Sequence, residues 1–201
     1  IPNNTQKRVA LSPKQQEQFL EFTRNDKHFC RYLDEIKILL GTGMRISELC
    51  GLTIADLDFD RRRIRVDHQL VRTQDGKRYI EKTKTECGCR YIPMSDEVYE
   101  SFYNILSNRK KQKKEVMIDG YAGFILLDKN GNPKVAMHVQ KVVQRLCEKY
   151  NEENIIPLPR ITPHVFRHTF CTNMANEGMD LKSLQYLMGH SDASVTLNVY
   201  T

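Results

Sequence analysis

Residues 161–201 read ITPHVFRHTFCTNMANEGMDLKSLQYLMGHSDASVTLNVYT, and the rest of the chain is best read outward from them. Thr162-Pro163 is a helix start: a hydroxyl that caps, then a proline whose fixed φ suits the first helical position. On the helix that follows, His164, Arg167, His168 and Cys171 stand at i, i+3, i+4 and i+7 and share a face. Phe166, Phe170 and Asn173 fall on the other side, where the two aromatics are expected to meet the core. Gly178 reads as the stop, and Asp180 as the cap of a second short helix carrying Leu181, Leu184 and Leu187. Gly189 ends that helix. His190 follows it, and Tyr200 comes ten residues later. Basic groups gathered around one tyrosine suggest a site for a phosphate and a phenolic nucleophile.

Composition sets loose bounds. The 201 residues fit one domain, or one with a small appendage, and 40% apolar residues are enough for a core. Lys and Arg number 31 against 25 acids, a net +6 that permits a polyanionic partner without demanding one. No apolar run approaches the ~20 residues that a membrane span needs. Six cysteines show no C-x-x-C pair. Cys87-Gly88-Cys89 is the nearest thing to a ligand pair and lacks a second one, so reduced thiols in a cytoplasmic protein are expected. The chain begins with Ile1 and stops one residue after Tyr200, and both ends read as cuts in a longer protein. Residues 1–10 read as linker and 11–201 as one catalytic domain.

Ahead of the signature stretch the elements are mostly helical. Ser12-Pro13-Lys14-Gln15 is a capped entry to a helix carrying Phe19, Leu20 and Phe22. A second helix runs from about Cys30 to Leu40 and breaks at Gly41-Thr42-Gly43. Met44 to Leu49 opens a third, on which Arg45 and Glu48 are i, i+3 neighbours. Spacing alone makes them a surface ion pair worth ~0.3 kcal/mol. Ile64 to His68 and Tyr79-Ile80 alternate like strands about an Asp75-Gly76 turn, and Arg90 to Pro93 supplies a third strand. This small antiparallel three-stranded sheet is rich in Arg and Lys. Ser95 caps a fourth helix from Glu97 to about Asn108. The basic run Arg109 to Lys114 reads as a solvated helix end, with a phosphate contact as the other reading. Gly123 to Leu127 is a short buried extended segment, and Val135 to Tyr150 a further helix. The fold class is α+β, mainly helical.

Three boxes resemble the tyrosine recombinases, also called the phage integrase family: TGMRISELCGL, then HVFRH, then LMGH with NVY ten residues on. The resemblance implies a catalytic domain of that family, and it reverses the bland reading of Arg45. In the family the first-box arginine is catalytic and its acid supports it. Carried over box by box, the catalytic residues are Arg45, His164, Arg167, His190 and the nucleophile Tyr200, with Glu48 and His168 supporting. A lysine in the turn between the second and third strands is the family's proton donor. The match here is Lys84 in TKT, with Lys82 as the alternative. Arg61, Arg63, Arg72, Lys82 and Arg90 are the candidate contacts to the DNA backbone. Within the family the wording of the last box is most similar to integrases of Gram-positive conjugative transposons.

The resemblance further implies double-stranded DNA as partner, a 3′-phosphotyrosyl intermediate, a tetramer on DNA and, for some members, accessory DNA-bending proteins. Each step exchanges one phosphodiester for another, so neither metal nor nucleotide cofactor is expected. His164 and His168 at i, i+4 could ligate zinc, but Val165 stands where H-E-x-x-H has its glutamate. Two other functions share these residues: a type IB topoisomerase, and a DNA-binding module that keeps the fold without catalysis.

Overall fold

The computed structural model describes residues 10–83, 88–109 and 114–190. Helix α1, Pro13–Asn25, starts at the expected capping box: Gln15 N–H donates to Ser12 Oγ at 3.3 Å and Ser12 N–H to Gln15 Oε1 at 2.9 Å. A 3-10 turn at Cys30–Tyr32 leads into α2, Leu33–Thr42, where one continuous helix was expected. The short helix α3, Ile46–Gly51, follows. Helices α4, Asp96–Ser107, and α5, Ala136–Glu153, flank the core, and α6, Pro163–Asn176, and α7, Leu181–Met188, complete it. The caps read from sequence are in place: Ser95 on α4, Thr162 on α6 and Asp180 on α7 each accept a backbone N–H of the first turn.

Helix α2 lies centrally, against α1, α4 and α6, and buries Ile36, Ile38 and Leu39. The rings of Phe19 on α1 and Phe166 on α6 sit 5.9 Å apart, and Phe22 meets Tyr150 of α5 edge-on at 5.2 Å. A second apolar cluster, Phe170, Cys171, Leu184, Leu187 and Met188, joins α6 to α7. Among the described residues no helix is long and apolar enough to cross a membrane, and Cys30, Cys50, Cys89, Cys147 and Cys171 are free thiols. Cys87 lies outside the described residues.

The strands pair differently from the sequence reading. The three-stranded sheet is β1, Leu57–Asp58, β2, Arg63–Val66, and β5, Arg90–Pro93, with Ile64 opposite Ile92 and Val66 opposite Arg90. Strands β3, His68–Arg72, and β4, Arg78–Lys82, form a separate two-stranded ladder around the Asp75-Gly76 turn. The expected single strand from Ile64 to His68 is therefore cut at Asp67. The Asp67 carbonyl there leaves the first ladder and accepts from both the N–H (3.0 Å) and the hydroxyl (3.2 Å) of Thr83. Gly123 to Leu127 is extended and largely buried, held by isolated bridges to Thr53 and Pro133.

Helix α6 is buried on more than one face. Phe166 and Phe170 are inside as expected, but so are Arg167 and Cys171 from the supposed polar face. The reason is α7, which covers that side.

Gly43 ends α2 at φ 61°, and a Cβ there would stand 2.3 Å from the Phe170 ring. Gly43→Ala therefore adds left-handed strain to overpacking. The expected loss is about 2–4 kcal/mol of unfolding free energy, measured as a lower urea midpoint. A loss below about 0.5 kcal/mol would contradict this packing.

Candidate active site

Arg45 occupies the position before α3, in extended conformation, and its N–H donates to Glu48 Oε2 at 2.7 Å. The same carboxylate takes the Arg45 guanidinium at 2.8 Å through Nη1. Glu48 is 2% exposed, so this is no surface pair. A second guanidinium closes on it from β5: Arg90 donates through Nη1 at 3.1 Å and Nη2 at 2.9 Å. Burial pushes the Glu48 carboxyl up, but the bonds and charges of Arg90 and Arg45 outweigh it and leave it below the ordinary carboxylate value.

The end of α7 explains where the arginines point. Gly189, at φ 59°, closes the helix in the left-handed region. His190 N–H returns to the Gln185 carbonyl at 3.2 Å and Gly189 N–H to the Tyr186 carbonyl at 3.0 Å. This glycine-closed end satisfies two of the carbonyls that a helix leaves open and places His190 immediately beyond. The next three carbonyls go to three different arginines. Leu187 accepts from Arg90 Nε at 2.7 Å, Met188 from Arg167 Nη2, and Gly189 from Arg45 Nη2 at 3.4 Å. Arg167 also donates to the Gly43 carbonyl at 2.6 Å. Cations suit a helix C-terminus, whose partial charge is negative. A Cβ on Gly189 would come within 2.9 Å of Arg90 Nη1, so glycine is required there by space as well as by φ.

Two guanidiniums thus share the Glu48 carboxylate and a third, that of Arg167, is held beside them on the Gly43 and Met188 carbonyls. Burial first, then the charges of Arg45 and Arg90, push Arg167 down to about 9, where it is still protonated at neutral pH. Burial, then Arg167, Arg45 and Arg90, push His190 down to about 4, against the opposing charge of Glu48. At neutral pH the imidazole is uncharged and carries one N–H. The arrangement is built to receive an anion.

The other expected residues divide as follows. His164 is exposed in the first turn of α6 and His168 is half-buried one turn on. Tyr200 and Lys84 lie outside the described residues. Lys82 is exposed at the end of β4, opposite His68, and Arg72 is exposed at the end of β3. Arg61 is exposed near Asp58 at 3.9 Å, and Arg63 donates to the same acid at 3.1 Å while lying over the Tyr91 ring. Arg90 is corrected. It is 1% exposed with its donors committed inside the protein, so it cannot serve as a surface contact to a DNA backbone. Strand alternation carried the signal, since Arg90 shares parity with the buried Ile92 while Tyr91 faces out.

Asp56, Asp67 and His68 also gather closely enough to consider a metal. Their atoms are already engaged: Asp56 accepts from Thr53 N–H, the Thr53 hydroxyl and Arg65, and His68 bridges Asp67 and the Gly51 carbonyl. The cluster ties α3 to β3.

The model of the phage integrase family matches residues 10–201. The transposases from transposon Tn916 of Enterococcus faecalis and Tn1545 of Streptococcus pneumoniae are 47% identical over 200 residues. That alignment covers 100% of this chain and 49% of each relative. Tyrosine recombinase XerC of Bacillus pumilus is 32% identical over 166 residues, covering 83% of this chain and 47% of that protein. Among solved structures, the Tn1549 transposon integrase in complex with circular intermediate DNA superposes with a TM-score of 0.95 at 49% identity. It covers 100% of this chain and 64% of its own. The XerA recombinase, at 22% identity and a TM-score of 0.70, shares the fold.

An unfolded chain protonates His190 near ~6.5 whereas the folded one waits until about 4. This residue therefore contributes stability above the unfolded value, and loses it as pH falls from ~6.5 towards 4. NMR titration of the ring resonances should give His190 a midpoint near 4 in the DNA-free protein. A midpoint of about 6 or above would mean the arginines do not act on it.

Proposed function

The chain belongs to the phage integrase family, and on that premise we propose that it is the catalytic part of a site-specific DNA recombinase that excises and integrates a mobile element. The chain spans about half the length of the curated relatives it matches. We assign residues 1–10 to a linker and 11–201 to the catalytic domain, with the DNA-clamping and subunit-docking regions supplied by the rest of the protein. The working form is a tetramer on double-stranded DNA, in the cytoplasm of a bacterial cell.

The observation that carries the reading is the charge imbalance around Glu48. Three buried or half-buried arginines and a neutral His190 converge on a place where, among the described residues, Glu48 is the acid that pairs with arginine, and it cannot neutralise all three. A phosphodiester supplies the missing negative charge, and charge grows on its non-bridging oxygens as phosphorus becomes pentacoordinate. Arg45 and Arg167 present planar forks that suit those oxygens better than a lysine would. His190 donates its N–H to one of them.

Tyr200 Oη attacks phosphorus and its proton passes to His164. The P–O5′ bond breaks as the new O–P bond forms, and Lys84 delivers a proton to the departing 5′ oxygen. The product is a 3′-phosphotyrosyl bond and a free 5′ hydroxyl. A 5′ hydroxyl from another strand then reverses these steps, so the number of phosphodiesters is conserved and the reaction consumes no nucleotide. Glu48 and His168 hold the groups that touch phosphate.

A nicked duplex carrying the element's end sequence, incubated in EDTA with the intact protein, tests the assignment. A DNA-linked protein band is expected, absent with Tyr200→Phe and reduced by roughly 10²-fold or more with Arg167→Ala. A band that persists without Tyr200, or that vanishes in EDTA, would overturn the mechanism. Relaxed circles without recombinants from a supercoiled two-site plasmid would assign it to topoisomerase chemistry instead.

A further inference from the structure

Helix α7 is fastened to two neighbours, and in different ways. Against α6 it packs through Phe170, Leu184, Leu187 and Met188, a non-directional contact, with one directed bond from Arg167 to the Met188 carbonyl. Against β5 it is held by bonds between consecutive residues on both sides. Tyr91 N–H donates to the Tyr186 hydroxyl at 3.0 Å, and Arg90 Nε donates to the Leu187 carbonyl at 2.7 Å. Strand β5 is itself paired with β2 in a set register. The sheet therefore grips the last turn of α7 at two points, and His190 lies three residues past the second.

Arg90 carries that grip across to α3. Its Nη1 and Nη2 donate to the two oxygens of Glu48 at 3.1 and 2.9 Å, and Nη1 also reaches the Gly88 carbonyl at 3.3 Å. The guanidinium lies against Gly189, the residue before His190. A Cβ there would stand 2.9 Å from Nη1, 3.1 Å from Cζ and 3.3 Å from Nε. All three guanidinium nitrogens of Arg90 are thus engaged inside the protein, and the residue is 1% exposed. Among the described residues the guanidiniums of Arg45 and Arg167 bond through two nitrogens each. Those two hold the site together and keep donor capacity for an anion, whereas Arg90 only holds.

We propose that Arg90 is a positioning residue for His190: by joining Glu48 of α3 to the last turn of α7 it keeps His190 in place against Arg45, with the Tyr91–Tyr186 bond as its second point. The inference rests on the reading of Arg45 and His190 as phosphate-binding residues. Lysine cannot replace Arg90, since one ammonium cannot span both Glu48 oxygens and the Leu187 carbonyl. Arg90 acts on cleavage and not on DNA affinity, because its donors face inward.

Two readouts test this, one of them independent of catalysis. The charged groups acting on His190 are Arg45 and Glu48 from α3, Arg90 from β5 and Arg167 from α6. Arg90→Lys preserves the charge, so a change at His190 reports displacement and not a lost cation. In the DNA-free protein the ring midpoint of His190 should rise from about 4 to roughly 5.5 or above as the end of α7 gains solvent. Tyr186→Phe leaves the buried ion pair intact and should move the midpoint the same way by a smaller step, and it decides the matter should Arg90→Lys fail to fold. A midpoint that stays near 4 overturns the proposal.

The second readout is covalent cleavage by the intact protein. Arg90→Lys is expected to slow it by roughly 10²-fold, the size of effect a small misplacement produces, with DNA affinity changed less than about 3-fold. In a His190→Ala background the same substitution should cost less than about 3-fold, since the group it places is gone. Equal fold-losses in both backgrounds would assign Arg90 to general stability and overturn its link to His190. No Tyr200-dependent band from the unaltered protein, or full cleavage by His190→Ala alone, would sink the catalytic reading instead, and the His190 midpoint would still decide what Arg90 holds in place.

Discussion

The C-terminal end of α7 governs the site. A helix must find partners for its last carbonyls, and here the chain closes two of them with Gly189 and gives the next three to Arg90, Arg167 and Arg45. Those arginines come from a strand, a helix and a helix start far apart in sequence. The end of one short helix therefore gathers β5, α6 and α3 to a point. It also orients the guanidiniums: each uses part of its donor set on backbone, which fixes its plane. Glu48 adds a negative charge, the only one paired with these arginines among the described residues, and holds two of the three. Buried ion pairs of this kind rarely add net stability, because desolvation offsets attraction. Their effect is to define one geometry.

Close packing makes that geometry inflexible. Gly43 must be glycine because Phe170 occupies the space of its Cβ, and its carbonyl is taken by Arg167. Gly189 must be glycine because Arg90 does the same there. The two glycines flank the arginine cluster from α2 and from α7, and both adopt left-handed φ. The glycines in TGMRISEL and LMGH thus have a steric cause: the Phe170 ring fills the Cβ space at Gly43 and the Arg90 guanidinium fills it at Gly189.

Local signals in the sequence were legible where local chemistry decides them. The capping box at Ser12, the prolines opening α1 and α6, and the Asp180 cap all depend on residues within a turn of one another. The pairing of Arg45 with Glu48 was visible from spacing, though its burial was not, because Arg90 and α7 supply the cover. The change of ladder at Asp67 left no trace. Burial alternates without a break from Ile64 through Val66 and His68 to Leu70, so the pattern has the same period on either side of the switch. Arg90 was misread by composition: an arginine in a basic hairpin suggests a surface. Its parity with Ile92 pointed inward, and the acid that makes burial tolerable lies forty-two residues away.

The same lesson applies to the charge of the whole hairpin region. Arg61 and Arg63 share Asp58, Arg62 pairs with Asp96 at 2.6 Å, and Arg65 pairs with Asp56 at 2.8 Å. Counting basic residues there overstates its pull on an anion, since acids of the same domain answer them. The Arg45, Arg90 and Arg167 cluster is different because, among the described residues, Glu48 is the one acid paired with it. A phosphate arriving beside it would relieve the repulsion among the arginines, and would weaken the field that keeps His190 neutral. By linkage the converse holds: an anion that raises the His190 pKa is itself bound more tightly when His190 is protonated. Burial is the larger cause of the depressed imidazole, and the three arginines that the end of α7 gathers add to it the same positive field that an anion would meet there.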